Sequence, residues 1–218
     1  QKARLITLKA QNSLYATSGM VQPQAQIVYE HVNVPNLWGS TAATNFKPYT
    51  TGDFIPYGYA KHCAPTAGIT LLRYWTERRG VSNLYSKSTK QDIFKDLGKE
   101  MNYVNSTGSD GGTEDWDAYI GMLSYLQKYN LNRQDACSYQ DKTGKTPGFD
   151  WAWIKTQIKN GTPLYIGTAG YVKSDYHIYI GTSHAVVGLG YQECSDGCYI
   201  RIADGCDRSL SNFLAYTW

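Results

Sequence analysis

Cys63 is the residue around which chemistry can be built. It stands between a Gly- and Tyr-rich stretch, Tyr57-Gly58-Tyr59-Ala60-Lys61-His62, and a run of helical character from Ala64-Pro65-Thr66 to Tyr74-Trp75. Pro65 fits the first helical turn, where a missing N–H costs nothing. A thiol at a helix start faces unpaired N–H groups and the positive end of the dipole. Both lower its pKa and favour the nucleophilic thiolate. The commoner fate of a free cysteine is burial as a small apolar residue. The catalytic reading therefore needs a base within reach and a third group to orient it.

Four histidines compete for the role of base: His31, His62, His177 and His184. His62 adjoins Cys63, but neighbouring side chains at a helix start point in different directions. His31 reads as a surface residue of a strand. His184 opens the extended run Ser183-His184-Ala185-Val186-Val187-Gly188-Leu189-Gly190-Tyr191, and Tyr199-Ile200-Arg201-Ile202-Ala203-Asp204-Gly205 runs back after a turn. Antiparallel pairing brings His184 and Asp204 to the same end of the sheet. An aspartate there can fix the imidazole tautomer and stabilise imidazolium. No return strand places a carboxylate beside His177. Singly, a histidine in a strand is usually structural and Asp-Gly is usually a turn. The mutual consistency of Cys63, His184 and Asp204 carries the weight.

The surrounding elements follow from period and punctuation. The Cys63 helix has Ile69, Leu72 and Trp75 in phase, Arg78 and Arg79 in its last turn and Gly80 as its stop. Thr89-Lys90-Gln91-Asp92 starts a second helix with Ile93, Phe94, Leu97 and Met101 as its apolar face. Thr113 caps a third, with Glu114, Asp115 and Asp117 at its positive end and Tyr119, Ile120, Leu123 and Leu126 as its buried face. Asp150 caps a fourth, Trp151 to Lys159, ended by Gly161. Strands are expected at Leu5–Leu8, Gln26–Val32, Leu164–Thr168, Tyr176–Ile180, His184–Tyr191, Cys198–Asp204 and Phe213–Tyr216. The Trp151-Ala152-Trp153 pair reads as packing. Helices in the middle and strands at the end argue for α+β rather than alternating βαβ units. Residues 1–56 read as an N-terminal arm or prosegment remnant, and residues 57–218 as the domain.

Bulk properties narrow the partners. With 218 residues the chain can bury a substantial core. A net charge of +3 and no dense Lys/Arg stripe argue against nucleic acid. No apolar run approaches the ~20 residues of a membrane span. Tyr (19) and Trp (6) are abundant and charged residues few, a surface suited to an extracellular protein that handles peptides or sugars. The chain begins at Gln1 without Met, which suggests that a leader or propeptide has been removed. Among the five cysteines, Cys194 and Cys198 flank the turn Ser195-Asp196-Gly197 and are placed for a disulfide across a hairpin. A zinc site is the rival, but beyond them only Cys206 and distant histidines are on offer, so no metal is expected.

Cys63-Ala64-Pro65-Thr66 ahead of an apolar helix resembles the nucleophile helix of papain-like cysteine peptidases. It is most similar to the bacterial branch related to bacteriocin-leader peptidases, whose motif is Cys-Gly-Pro-Thr. Lys159-Asn160-Gly161-Thr162-Pro163-Leu164 resembles that group's Asn-Gly-x-Pro-Val element. His184-Ala185-Val186-Val187-Gly188-Leu189-Gly190-Tyr191 resembles its His-Ala-Val-Val-x-x-Gly-Tyr strand, and Tyr199 to Gly205 the strand that ends on Asn/Asp. The resemblance covers residues 57–218. It implies an α+β papain-like fold in which an N-terminal helical half carries the nucleophile helix against a C-terminal antiparallel sheet. It also implies a secreted or cell-surface bacterial peptidase that needs no cofactor and acts on a peptide or protein substrate. Cys63 would be nucleophile, His184 general base and acid, and Asp204 the orienting residue. The Cys63 N–H would supply one oxyanion donor. The family's glutamine ahead of the cysteine is here Tyr57, whose hydroxyl, or that of Tyr59, is the candidate second donor. Two other readings keep the scaffold: a transglutaminase-like acyl transferase, and a non-catalytic module that binds peptide or glycan.

Overall fold

A computed structural model describes residues 27–32, 46–81, 84, 89–129, 150–168, 183–194, 197–208 and 212–216. The expected strands at Leu5–Leu8 and Tyr176–Ile180, and with the latter His177, lie outside these residues. The elements are β1 (Ile27–Val32), α1 (Cys63–Arg79), α2 (Lys90–Glu100), α3 (Asp115–Lys128), α4 (Trp151–Lys159), β2 (Leu164–Thr168), β3 (His184–Cys194), β4 (Gly197–Ala203) and β5 (Asn212–Tyr216). Two 3-10 turns, Thr51–Asp53 and Ile55–Tyr57, precede α1.

The caps explain where the helices begin. Thr89 accepts the N–H of Asp92 at 3.2 Å to start α2, and Asp150 accepts that of Ala152 at 2.9 Å to start α4. Gly80 closes α1 in the left-handed conformation (φ 68°) that a residue without Cβ adopts without strain. Helix α3 begins one residue later than Thr113 suggests, with Glu114 as its N-cap.

All five strands form one antiparallel sheet around β3. On one edge β3 pairs with β2 over His184–Gly188 and with β1 over Gly190–Cys194; on the other it pairs with β4, which pairs in turn with β5. Both faces of β3 are covered. Ala185, Val187 and Leu189 join one cluster with residues of α1, α2 and α3, whereas Val186 and Tyr191 join Trp151, Ile154 and Ile158 of α4. The register shift between Gly188 and Gly190 is a bulge, and it moves Tyr191 onto the face of Val186 although the numbers differ in parity. Trp151 meets the Tyr191 ring edge-on at 5.6 Å, the packing role expected of it.

Two helices differ from the sequence expectation. The α1 periodicity suggests a single apolar face, but every residue from Ala64 to Leu72 is buried. The helix is central, with β3 and β2 on one side and α2 and α3 on the other. Thr66 and Thr70 are polar residues placed in that interior, and Thr70 Oγ1 accepts the Tyr49 N–H at 3.1 Å. Helix α3 is rotated from the expected face. It buries Ala118, Gly121, Met122, Tyr125 and Leu126, and leaves Ile120 exposed. Close approach to α2 decides this, because a Cβ on Gly121 would lie 2.5 Å from the Met101 Cα.

Residues 46–54 run over the α1 side of the core. Phe46, Tyr49 and Phe54 are buried there, with Phe54 stacked on Phe94 of α2 at 4.1 Å.

Candidate active site

Cys63 is the first residue of α1, and the residues leading into it are held in an unusual course. Gly58 and Lys61 both have positive φ, 79° and 48°. For Lys61 this is uphill by roughly 1–2 kcal/mol, so neighbouring contacts must hold it. The N-cap His62 is buried, and its Nε2 donates to the Thr51 carbonyl at 3.0 Å. The Thr51 N–H donates to the Gly205 carbonyl at 2.7 Å. One peptide segment therefore ties the residue before Cys63 to the residue after Asp204.

His184 is the first residue of β3, opposite Thr168 of β2, whose hydroxyl donates to the His184 carbonyl at 3.0 Å. The imidazole bridges two elements. Its hydrogen bonding and charge act on the Cys63 thiol, and its Nε2 lies 2.7 Å from the backbone carbonyl of Asp204. A carbonyl oxygen can only accept, so Nε2 keeps its proton in the neutral ring as well as the charged one. Nδ1 is then the ring nitrogen that titrates. Asp204 itself is fully buried just beyond β4, where its Oδ1 accepts the N–H groups of Cys206 at 2.8 Å and Asp207 at 3.3 Å. The carboxylate thus shapes the turn that presents its own carbonyl to His184.

Charge is displaced in opposite directions across the pair. Burial alone would raise the Cys63 thiol. The hydrogen bond and charge of His184, with N–H groups of Ala185 and Ala64, outweigh burial and hold the thiol below its ordinary value. Burial alone would lower His184. Hydrogen bonds to Cys206 and Cys63, the Cys63 charge and the Asp204 carbonyl push it up to about 10. Thiolate and imidazolium stabilise each other, the condition for a nucleophile active at neutral pH.

The structure therefore brings Cys63, His184 and Asp204 together. Tyr57 lies on the 3-10 turn ahead of Cys63 and is 41% exposed. Its N–H is bonded to the Phe54 carbonyl. At the turn where a Cys194–Cys198 bridge is expected, Cys198 carries a free thiol. Cys198 pairs with Glu193, and Gly197 with Cys194, so the two cysteines are out of register by one residue. Among the described residues no group of three or more His, Cys, Asp or Glu side chains is gathered for a metal ion. Within the same residues, no helix is long and apolar enough to cross a membrane.

Sequence reasoning missed three contributors. Cys206, weighed only as a zinc ligand, is among the groups that raise His184. Its signal was its position two residues after Asp204. Thr51 and Asn105 make contacts with backbone atoms near Cys63 that no motif marks.

An α+β scaffold with a thiol at the head of a central helix and a histidine at the start of a sheet strand is a papain-like fold. The chain belongs to the Peptidase_C39 like family, a family of cysteine peptidases, whose sequence profile matches residues 43–214. That match begins ahead of Tyr57 and takes in the buried Phe46, Tyr49 and Phe54. No curated protein and no solved structure matches the chain.

Proposed function

We propose that the chain hydrolyses peptide bonds, with Cys63 as nucleophile, His184 as general base and acid, and Asp204 as the residue that positions His184. The Cys63 thiolate attacks the scissile carbonyl. The tetrahedral oxyanion is met by the Cys63 N–H at the helix start. Imidazolium protonates the leaving amine as the carbon–nitrogen bond breaks, giving a thioester acyl-enzyme. The now neutral His184 takes a proton from water, which attacks the thioester; hydrolysis then frees the acid and restores the pair.

The observation that carries this reading is geometric: the Cys63 thiol at the head of α1 meets the field of His184 at the head of β3, whose Nε2 is held 2.7 Å from the Asp204 carbonyl, and the two groups displace each other in opposite directions, Cys63 down and His184 up to about 10. Membership of a cysteine-peptidase family supports the same chemistry. The experiment is turnover of a broad peptide library by the wild type and by Cys63→Ala. Loss of all cleavage in the variant is expected, and unchanged cleavage refutes the assignment. Adding a primary amine to the same assay separates hydrolysis from acyl transfer, because a transferase would incorporate the amine into product.

A further inference from the structure

The loop that delivers Cys63 is held from outside by a residue no motif indicates. Between α2 and α3, Asn105 turns its carboxamide toward the backbone of residues 58–60. Its Oδ1 accepts the Ala60 N–H at 2.8 Å, and its Nδ2 donates to the Gly58 carbonyl at 3.0 Å. Donor and acceptor of one amide thus meet acceptor and donor two residues apart, as a neighbouring strand would. Tyr103 adds to this. Its hydroxyl is hydrogen-bonded to the Ala60 carbonyl and lies 3.1 Å from Asn105 Oδ1. The Lys61 ammonium donates to the Gly108 carbonyl.

The brace is itself stiff. Val104 and Gly112 exchange two backbone hydrogen bonds, each 2.9 Å, which close the segment between them into a small loop. Inside it the Ser106 hydroxyl donates to Asp110 Oδ1 at 3.0 Å. Gly111 lies so close to the Ser106 carbonyl that a Cβ would stand 1.9 Å from that oxygen. The braced segment, by contrast, contains the two left-handed residues Gly58 and Lys61 directly ahead of His62 and Cys63. A course that is locally unfavourable persists only where its surroundings determine it. The Cys63 peptide plane sets the direction of the N–H that meets the oxyanion, and misplacement of such a donor by a fraction of an ångström weakens it.

We propose that Asn105 is a positioning residue for the oxyanion side of the cleft, holding the Gly58–His62 loop so that the Cys63 N–H points at the developing oxyanion. This rests on the peptidase reading above. It assigns to a loop outside the Cys63–His184–Asp204 cluster the task of ordering the segment where the expected amide donor is replaced by Tyr57. The thiolate is stabilised by His184 and by N–H groups of Ala185 and Ala64. Asn105 therefore affects the oxyanion and leaves the formation of the nucleophile alone.

The test compares the wild type with Asn105→Ala and Tyr103→Phe in the full chain. Three readouts are taken: kcat and KM on a cleaved peptide, affinity for a peptide aldehyde that forms a tetrahedral hemithioacetal with Cys63, and the pH midpoint of Cys63 alkylation by iodoacetamide. Asn105→Ala is expected to lower kcat about 10- to 100-fold, less than the loss of an oxyanion donor outright. Aldehyde affinity falls in parallel, while KM and the alkylation midpoint stay near wild type. Tyr103→Phe, which retains the Asn105 contacts, gives a smaller loss of the same pattern. Unchanged kcat in both variants overturns the proposal. A parallel shift of the alkylation midpoint also overturns it, because that would mean general disruption of the site. Failure of the peptidase reading is seen separately, as a wild type whose turnover does not depend on Cys63.

Discussion

His184 donates through Nε2 to the backbone carbonyl of Asp204, 2.7 Å away, while the Asp204 carboxylate accepts the N–H groups of Cys206 and Asp207. The carboxylate caps the turn whose carbonyl meets the imidazole, so in the proposed mechanism Asp204 orients the ring through that turn. Asp204→Asn keeps both contacts, since the carbonyl is untouched and an amide oxygen can accept the same two N–H groups. Its kcat/KM is expected to stay within about tenfold of wild type. That is far from the roughly 10⁴-fold loss seen when a buried triad aspartate that holds the ring directly becomes asparagine. Asp204→Ala removes the turn's acceptor and is expected to lose about 1–3 kcal/mol of stability as well as most activity. Steady-state kinetics with thermal unfolding of both variants decides the matter. A collapse of activity in Asp204→Asn with unchanged Tm would show that the carboxylate charge acts on the ring directly.

Burial opposes both charged forms at the Cys63–His184 pair, so removing either partner has a definite sign. In His184→Ala the thiol loses its hydrogen bond and counter-charge but stays buried. Its alkylation midpoint should therefore move up, toward or beyond the ordinary range near 8.5. In Cys206→Ala the hydrogen bond that most strongly raises His184 is gone. The thiolate–imidazolium pair, the active form in the proposed mechanism, exists from the depressed thiol pKa up to the raised imidazole pKa. The alkaline limb of kcat/KM should lie near 10 in the wild type and shift to lower pH in Cys206→Ala, while the acid limb, set by Cys63, changes less. Superimposable alkaline limbs would remove Cys206 from any role at the imidazole.

The sequence carried most of the frame, for identifiable reasons. Thr89, Asp150 and Gly80 are caps whose chemistry is local, so the starts of α2 and α4 and the end of α1 could be read directly. His184 and Asp204 could be placed at one end of the sheet because antiparallel pairing fixes it. The buried face of α3 could not be read, since it depends on how closely Gly121 lets α2 approach, a tertiary fact. The same holds for the group that meets the imidazole. Sequence places Asp204 near His184, but only the turn geometry makes the backbone carbonyl the acceptor. The bracing by Thr51 and Asn105 joins residues far apart in the chain, with backbone atoms as partners, and residue identity says nothing about those.

The clamp beside Thr51 supplies a stability prediction. Asp53 Oδ2 accepts the Thr50 N–H at 2.9 Å and the Thr50 hydroxyl at 3.1 Å, and its Oδ1 receives Arg208 at 2.7 Å and Lys90 at 3.3 Å. Burial would raise this carboxyl, but Thr50, Lys90 and Arg208 outweigh it and hold the pKa below the ordinary carboxylate value. The Asp53 side chain is only 9% exposed, whereas those of Lys90 and Arg208 are 37% and 50% exposed. Solvent screens the two cations, so most of the stabilisation comes from the Thr50 hydrogen bonds. A depressed folded-state pKa contributes stability that is complete above the unfolded value and lost as pH falls through the folded one. Asp53→Asn should therefore destabilise the protein by about 1–3 kcal/mol at pH 7. For a chain of this size each kcal/mol lowers Tm by roughly 2–4 °C. The difference from wild type should narrow as pH drops from about 5 to about 2, because the wild-type carboxylate is then protonated. Calorimetry across that range is the measurement. Equal Tm values at pH 7, or a gap that widens in acid, would contradict the clamp.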